Sequence, residues 1–186
     1  MTKDLPSPEL LRKLLRYEPE TGKLFWRERT PDMFENGKQS SAHNCVAWNN
    51  RSAGKEAFFS QHKHGYRYGR VSGRAYLAHR VIWAMHTNAW PVEHIDHIDG
   101  KKDNNVIENL REATRSENMW NQKAPTNNTS GYKGVYWQKT TQKWCARIKK
   151  NTKNHYLGLF DCPKEAHQAY CKAAKELHGK YANTGV

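Results

Sequence analysis

The segment HIDHIDGKKDNNVIENLREATRSENMWNQ, residues 94–122, constrains this chain more than any other. An Asp–His pair, Asp96–His97, stands in a short apolar run with Ile95 and Ile98, which reads as a strand. A polar loop with Gly100 and Asp103-Asn104-Asn105 follows, and Asn109-Leu110 opens a second extended stretch. Thr114-Arg115-Ser116-Glu117 has the Ser/Thr-x-x-Glu form of a capping box, so Thr114 caps a helix whose third residue is Glu117. Asn118 then falls in the first turn, on the side facing back toward the strand and loop. The expected order is strand, loop, strand, helix, with an acid, an imidazole and two carboxamides able to converge. The plainer alternative makes Asp96, Asn109 and Asn118 turn and cap formers only. Turn formers, however, give no reason for His97 to travel with them.

These residues, as D-H-I-D-G, D-N-N-x-x-E-N-L and S-E-N in that order, resemble the HNH nuclease motif. This is the ββα-metal finger, in the form typical of phage homing endonucleases. The resemblance implies that Asp96 and Asn118 are metal ligands and His97 the general base. Asn109, the middle Asn, is implied to orient His97 or to brace the loop. The strict motif ends in His where this chain has Asn118, which leaves metal preference and turnover open.

Phosphodiester hydrolysis suits such a set. A histidine titrates near neutral pH and can take a proton from water. A divalent cation acts as Lewis acid and template for the phosphate. Carboxylate plus carboxamide is a hard, all-oxygen pair that suits Mg²⁺ or Mn²⁺ and suits Zn²⁺ poorly.

Charge points to the partner. Lys+Arg number 31 against 18 Asp+Glu, a net +13 over 186 residues, with pI about 9.7. Such a balance favours a polyanion through steering and counterion release. The apolar share of 37% and mean hydropathy of −1.02 predict small cores and wet surfaces. Seven Trp and nine Tyr argue against disorder. No apolar run approaches membrane-spanning length and MTKDLPSPELL has no signal-peptide core, so a cytoplasmic protein is expected, in the host cell if phage-encoded. Cys45, Cys145, Cys162 and Cys171 show no Cys-x-x-Cys spacing, so neither zinc ribbon nor disulfide framework is expected. Cys45 with His62 and His64 reads either as a metal cluster or, more plainly, as loop residues.

From the start, Ser7-Pro8-Glu9 opens a helix, with Leu10, Leu11, Leu14 and Leu15 as a core stripe. Lys23 to Arg27 reads as a strand. Residues 30–55, rich in Asn and Ser, show little periodicity and read as a loop along DNA or an insertion, with Trp48 as stacking platform or core plug. Gly65 to Leu77 alternates around Ser72-Gly73, a basic β-hairpin with Arg67, Arg70 and Arg74. Residues 78–88 follow as a helix. It contains His79-Arg80, a pair that the HNH resemblance places near the phosphate, with Arg80 as its clamp. For His79 the alternative is a packed, hydrogen-bonded histidine.

KAPTNNTS, residues 123–130, is a polar connector with Pro125. Beyond it, strands are expected at 132–137, 143–149 and 155–160, then a helix from about Asp161-Cys162-Pro163 to Gly179. Y-K-G-V, K-W-C-A-R-I, L-G-L-F-D, E-A-H-Q-A-Y and G-K-Y-A-N resemble the plant ethylene-response-factor type of DNA-binding domain. Residues 124–186 carry 11 Lys+Arg against 3 Asp+Glu, so +8 of the total. In that family the exposed sheet face enters the major groove, which implies contacts from Lys133, Tyr136, Gln138, Arg147, Lys149 and Tyr156. The plant pattern has arginines at Tyr136 and Gln138, so base preference does not transfer, and each lysine reads equally as a phosphate contact.

The expected fold class is α+β. Residues 1–60 form an N-terminal helix and strand/loop region, 61–123 the HNH module, 124–130 a linker, and 131–186 a three-stranded antiparallel sheet on one helix. The expected function is Mg²⁺-dependent endonucleolytic cleavage of double-stranded DNA at a long site, homing-type, leaving 5′-phosphate and 3′-hydroxyl, by a monomer or homodimer. No membrane or small-molecule partner is expected. The alternative is a sequence-specific DNA-binding regulator with a vestigial nuclease site.

Overall fold

The computed structural model describes residues 5–185. The chain is α+β and divides into two compact units, Met1–Glu112 and Ala113–Val186.

In the first unit, Ser7 Oγ accepts the Leu10 N–H and caps α1 (Pro8–Leu14). The helix ends one residue sooner than its apolar stripe suggests. Leu15 opens β1 (Leu15–Glu18), which pairs antiparallel with β2 (Lys23–Trp26), itself flanked by β3 (Glu56–Ala57). Leu11, Leu14 and Leu15 are all buried, because a helix-to-strand junction keeps three apolar side chains on one core as a longer helix would. The stretch read as a loop contains a short 3₁₀ turn and then α2 (Ser41–Ser52), capped by Ser40. Only Cys45 of α2 is buried, so its weak amphipathicity hid it. Its Sγ lies 3.0 Å from the Arg29 carbonyl, a packing role rather than a ligand's. Trp48 holds the Arg29 guanidinium 3.8 Å over its ring and stacks edge-on with Trp26.

β4 (Ser60–Gln61), β5 (Arg67–Val71) and β6 (Arg74–Leu77) form a second antiparallel sheet, its β5–β6 turn carrying positive φ at Ser72 and Gly73. α3 (Ala78–Thr87) follows directly and stops at Asn88, which is left-handed at φ 60°. It buries Val81 and Ile82 in a core shared with Leu11, Leu24, Val71, Ile95 and Leu110. β7 (His94–His97) pairs with β8 (Leu110–Ala113).

The second unit opens on α4 (Arg115–Trp120), where both halves of the expected capping box form between Thr114 and Glu117. β9 (Val135–Gln138), β10 (Lys143–Lys150) and β11 (Lys153–Phe160) form an antiparallel sheet with β10 central. α5 (Pro163–His178) covers one face through Ala166, Tyr170, Ala173 and Ala174. β9 starts three residues later than its sequence suggests. The delay follows from Gly134, at φ +76°, where a Cβ would stand 2.0 Å from the Tyr170 ring. Since β9 pairs only as far as Ala146, the far end of β10 lacks a strand neighbour on that side. His178 Nε2 meets the Lys149 carbonyl there at 2.9 Å, and Trp120 of α4 stacks on His178 at 4.3 Å.

No helix among the described residues is long and apolar enough to cross a membrane.

Candidate active site and DNA-binding face

Asp96 and His97 are consecutive on β7, so their side chains leave the strand on opposite faces, and both are buried. Asp96 Oδ2 accepts two charge-assisted bonds from Arg111 of β8, 2.8 Å from Nε and 2.7 Å from the second nitrogen. His97 Nε2 lies 3.1 Å from Asn105 Oδ1. With that oxygen as acceptor, Nε2 carries the proton and Nδ1 is the basic nitrogen. His79 of α3 stands edge-on to His97, ring centres 5.1 Å apart, and Tyr66 lies 5.9 Å from His97 and 5.2 Å from His79. Asn105, His79 and Tyr66 are thus among the groups that line the imidazole.

Burial sets the protonation. Desolvation lowers the His97 pKa below the ordinary imidazole value and outweighs the opposing pull of Asn105, Asp99, Asp96 and Asp103. His79, more deeply desolvated and beside His97 and Arg80, is pushed down to about 3. Both rings are therefore neutral at pH 7. Nδ1 of His79 is buried and has no hydrogen-bond partner among the described residues.

The loop between β7 and β8 is tied by Asn109 and Asp99. Asn109 Oδ1 accepts the Asp99 N–H at 3.0 Å, while its Nδ2 donates to Asp99 Oδ1 and to the Asn104 carbonyl. Of the two roles implied for Asn109, this is the brace; the bond to His97 belongs to Asn105, in the same D-N-N run. Burial raises the Asp99 carboxyl pKa, but donors from Asn104, the Lys101 N–H and Asn109 outweigh it and hold it below the usual range. Behind the loop, Tyr17 OH donates to the Asn105 carbonyl at 3.2 Å and accepts the Ile107 N–H at 2.9 Å. A Cβ on Gly22 would stand 2.5 Å from the Asn105 backbone, so only glycine lets the β1–β2 turn approach so closely.

Arg80 spends its guanidinium on the Pro91 and Glu93 carbonyls, at 2.9 and 3.1 Å. It anchors the run into β7 rather than standing free as a clamp. Asn118, in the second unit, occupies the first turn of α4, its N–H bonded to the Thr114 carbonyl at 3.0 Å.

On the β9–β11 sheet, the face away from α5 presents Tyr136, Arg147 and Tyr156. Arg147 pairs across strands with Tyr156 and lies 5.2 Å over the Tyr136 ring. Lys149 is exposed, and Gln138 is half-buried with its amide 3.2 Å from Thr140 Oγ1. Lys133 is not presented with them. Its ammonium donates to the Trp120 and Gln122 carbonyls, and desolvation pushes its pKa down to about 8.

Two known families match along the chain: an HNH endonuclease family over residues 76–120 and the AP2 domain over residues 130–180. "Protein 3.8" of Escherichia phage T7 is 36% identical over 105 residues, which cover 56% of this chain and 86% of that protein. The chain belongs to the HNH endonuclease family. An uncharacterised HNH endonuclease of Acanthamoeba polyphaga mimivirus is 33% identical over 89 residues, 48% of this chain and 45% of that protein. No solved structure matches significantly.

The HNH match, residues 76–120, includes residues on both sides of the division at 112 and 113. Within the first unit, Asp96 is paired with Arg111, His97 meets Asn105, Asn109 ties the loop through Asp99 and Asn104, and Arg80 is held by the Pro91 and Glu93 carbonyls. Within the AP2 domain, the sheet gathers five of the six expected contacts and withdraws Lys133. Asn105, Arg111, Tyr66 and Tyr17 go beyond the motif read from the sequence. Asn105 had a local signal, its place in D-N-N; the other three reach the loop only through folding.

Proposed function

We propose that this HNH protein is a metal-dependent DNA endonuclease of the homing type, nicking or cutting double-stranded DNA at a long site. The observation that carries the reading is the neutral imidazole of His97, its Nε2 held by Asn105, next in sequence to the buried Asp96 carboxylate on β7. His97 Nδ1 takes a proton from the attacking water, with Asn105 holding the tautomer. Asn109 keeps the loop from yielding as charge builds at the phosphate.

The donor chemistry fits a divalent cation. Asp96, Asp99 and Asp103 set a negative local field about His97, and the uncharged imidazoles add no repulsion. Among the described residues no three His, Cys, Asp or Glu side chains are grouped to hold a metal, and the proposed set adds carboxamide and water oxygens to the carboxylate. Asp96 and Asn118 are the proposed ligands. Mg²⁺ or Mn²⁺ bound there would supply Lewis-acid stabilisation of the phosphate and leaving oxygen. The AP2 sheet supplies address and affinity, and the setting is the cytoplasm, that of the host cell if the chain is phage-encoded. One such site cuts one strand, so a double-strand break calls for a homodimer or a second encounter.

The rival reading, a DNA-binding regulator with a vestigial site, draws on the Arg111–Asp96 ion pair and on the enclosure of His97. Supercoiled plasmid incubated with wild type and His97→Ala, each with Mg²⁺, Mn²⁺ or chelator, separates them. Metal-dependent nicking lost in the variant supports the endonuclease. Binding without nicking under either metal supports the regulator.

A further inference from the structure

We infer that the N-terminal segment from α1 to α2 forms a groove that grips the DNA backbone, a contact distinct from the HNH loop and the AP2 sheet. The inference rests on the DNA-partner reading above. A groove of about 780 Å³ is lined by Arg12, Lys13, Arg16 and Arg27, with Glu28 the one carboxylate of its lining. A second recess of about 250 Å³ shares Arg12, Arg16 and Arg27 and adds His86 and Tyr17. Within the lining four cations face one acid, on a surface no motif accounts for, while three further carboxylates reach the cations from outside it.

The way these cations are held argues for a ligand. Arg12 donates to the Met85 carbonyl at 2.7 Å and the Asn88 amide oxygen at 2.6 Å, and Arg27 Nε to the Leu15 carbonyl at 3.1 Å. A neutral acceptor fixes a guanidinium plane without cancelling its charge, leaving further N–H donors for a phosphate. Arg16 stacks 4.6 Å over Phe25, fixed in the same way by a neutral group. Three carboxylates touch the set from outside, Glu9, Glu18 and Asp32, at 3.4, 3.3 and 3.8 Å. These are long contacts between solvent-accessible groups, readily exchanged for phosphate. The position fits the chemistry: Tyr17, in the wall of the recess, is the residue that bonds Asn105 and Ile107. A backbone seated there lies against the hairpin that supports the catalytic loop.

The test uses the full chain and an arbitrary-sequence duplex of about 30 base pairs in chelator, so that cleavage plays no part. Lys13→Gln with Arg16→Gln removes two cations that are not carbonyl tethers; Lys38→Gln with Lys55→Gln removes two exposed ones outside the groove. The groove variant should show a slope of log affinity against log salt shallower by about 1.8, and affinity lower by roughly 10–100-fold near 0.1 M salt. The control should keep the wild-type slope. In wild type, the duplex should protect Lys13 from acetylation and leave Lys38 reactive, read by mass spectrometry. An unchanged slope in the groove variant, an equal loss in the control, or an unprotected Lys13 overturns the inference while leaving DNA binding intact. A wild type that fails to bind the duplex at any salt sinks the DNA reading itself.

Discussion

At the scale of single residues, burial is what makes His97 usable in the base role proposed for it. Its lowered pKa keeps it neutral at and somewhat below pH 6.5, so the acid limb of nicking should lie below that value. Tyr66→Ala opens the enclosure, relieves desolvation and should move the limb up toward pH 6.5 in a rate–pH profile. An unmoved limb would show that Tyr66 does not shield the base. His79 has the same sign with a larger excursion. Its folded pKa of about 3 lies below the ordinary imidazole value, so its contribution to stability is complete above about pH 6.5 and drains away as pH falls toward 3. Denaturant titrations across that range should show the loss, and His79→Phe should flatten it.

At the scale of elements, α4 has six residues, too few to stand without its caps. Thr114→Ala removes a capping box complete on both sides and should cost about 0.5–2 kcal/mol, measured by chemical unfolding. Thr114→Ser should restore most of it. In the AP2 sheet, Gly134→Ala combines a left-handed backbone with a clash on Tyr170 and should cost roughly 2–5 kcal/mol. A Tyr170→Ala partner that recovers part of that loss would confirm the steric cause. These elements were legible because their signals are local: Ser7, Thr114 and Gly179 each mark a terminus by their own chemistry. α2 was illegible because it buries one side chain, and the Leu10–Leu15 stripe because packing, not spacing, decides where α1 gives way to β1.

For the molecule as a whole, the residues proposed to cut and those proposed to give the address are different, so the two activities should separate. Chelation should abolish nicking and leave duplex affinity within about twofold, whereas Arg147→Ala with Lys149→Ala should weaken binding with a shallower salt slope. At protein concentrations that saturate the DNA, the double variant should still nick at close to the wild-type rate. Gel-shift and plasmid assays on the same preparations read both quantities, and a variant that loses nicking at saturation would tie the sheet to the chemistry.

What the linear order of residues determined is the chemistry on offer and the local turns that carry it: the D-H pair, the capping box, the D-N-N and N-L loop, and the alternation of β10. Each is written within a few positions, where propensity and hydrogen-bond reach are short-range. Only the tertiary structure decided which carboxamide meets His97, that Arg111 pairs with Asp96, and that Lys133 turns inward while Arg147 stays out. It also decided that a hairpin whose Tyr17 lies 88 residues before Asn105 supports the β7–β8 loop. Those outcomes depend on burial and on contacts between distant segments, and desolvation has no value until a chain has folded around the group that feels it.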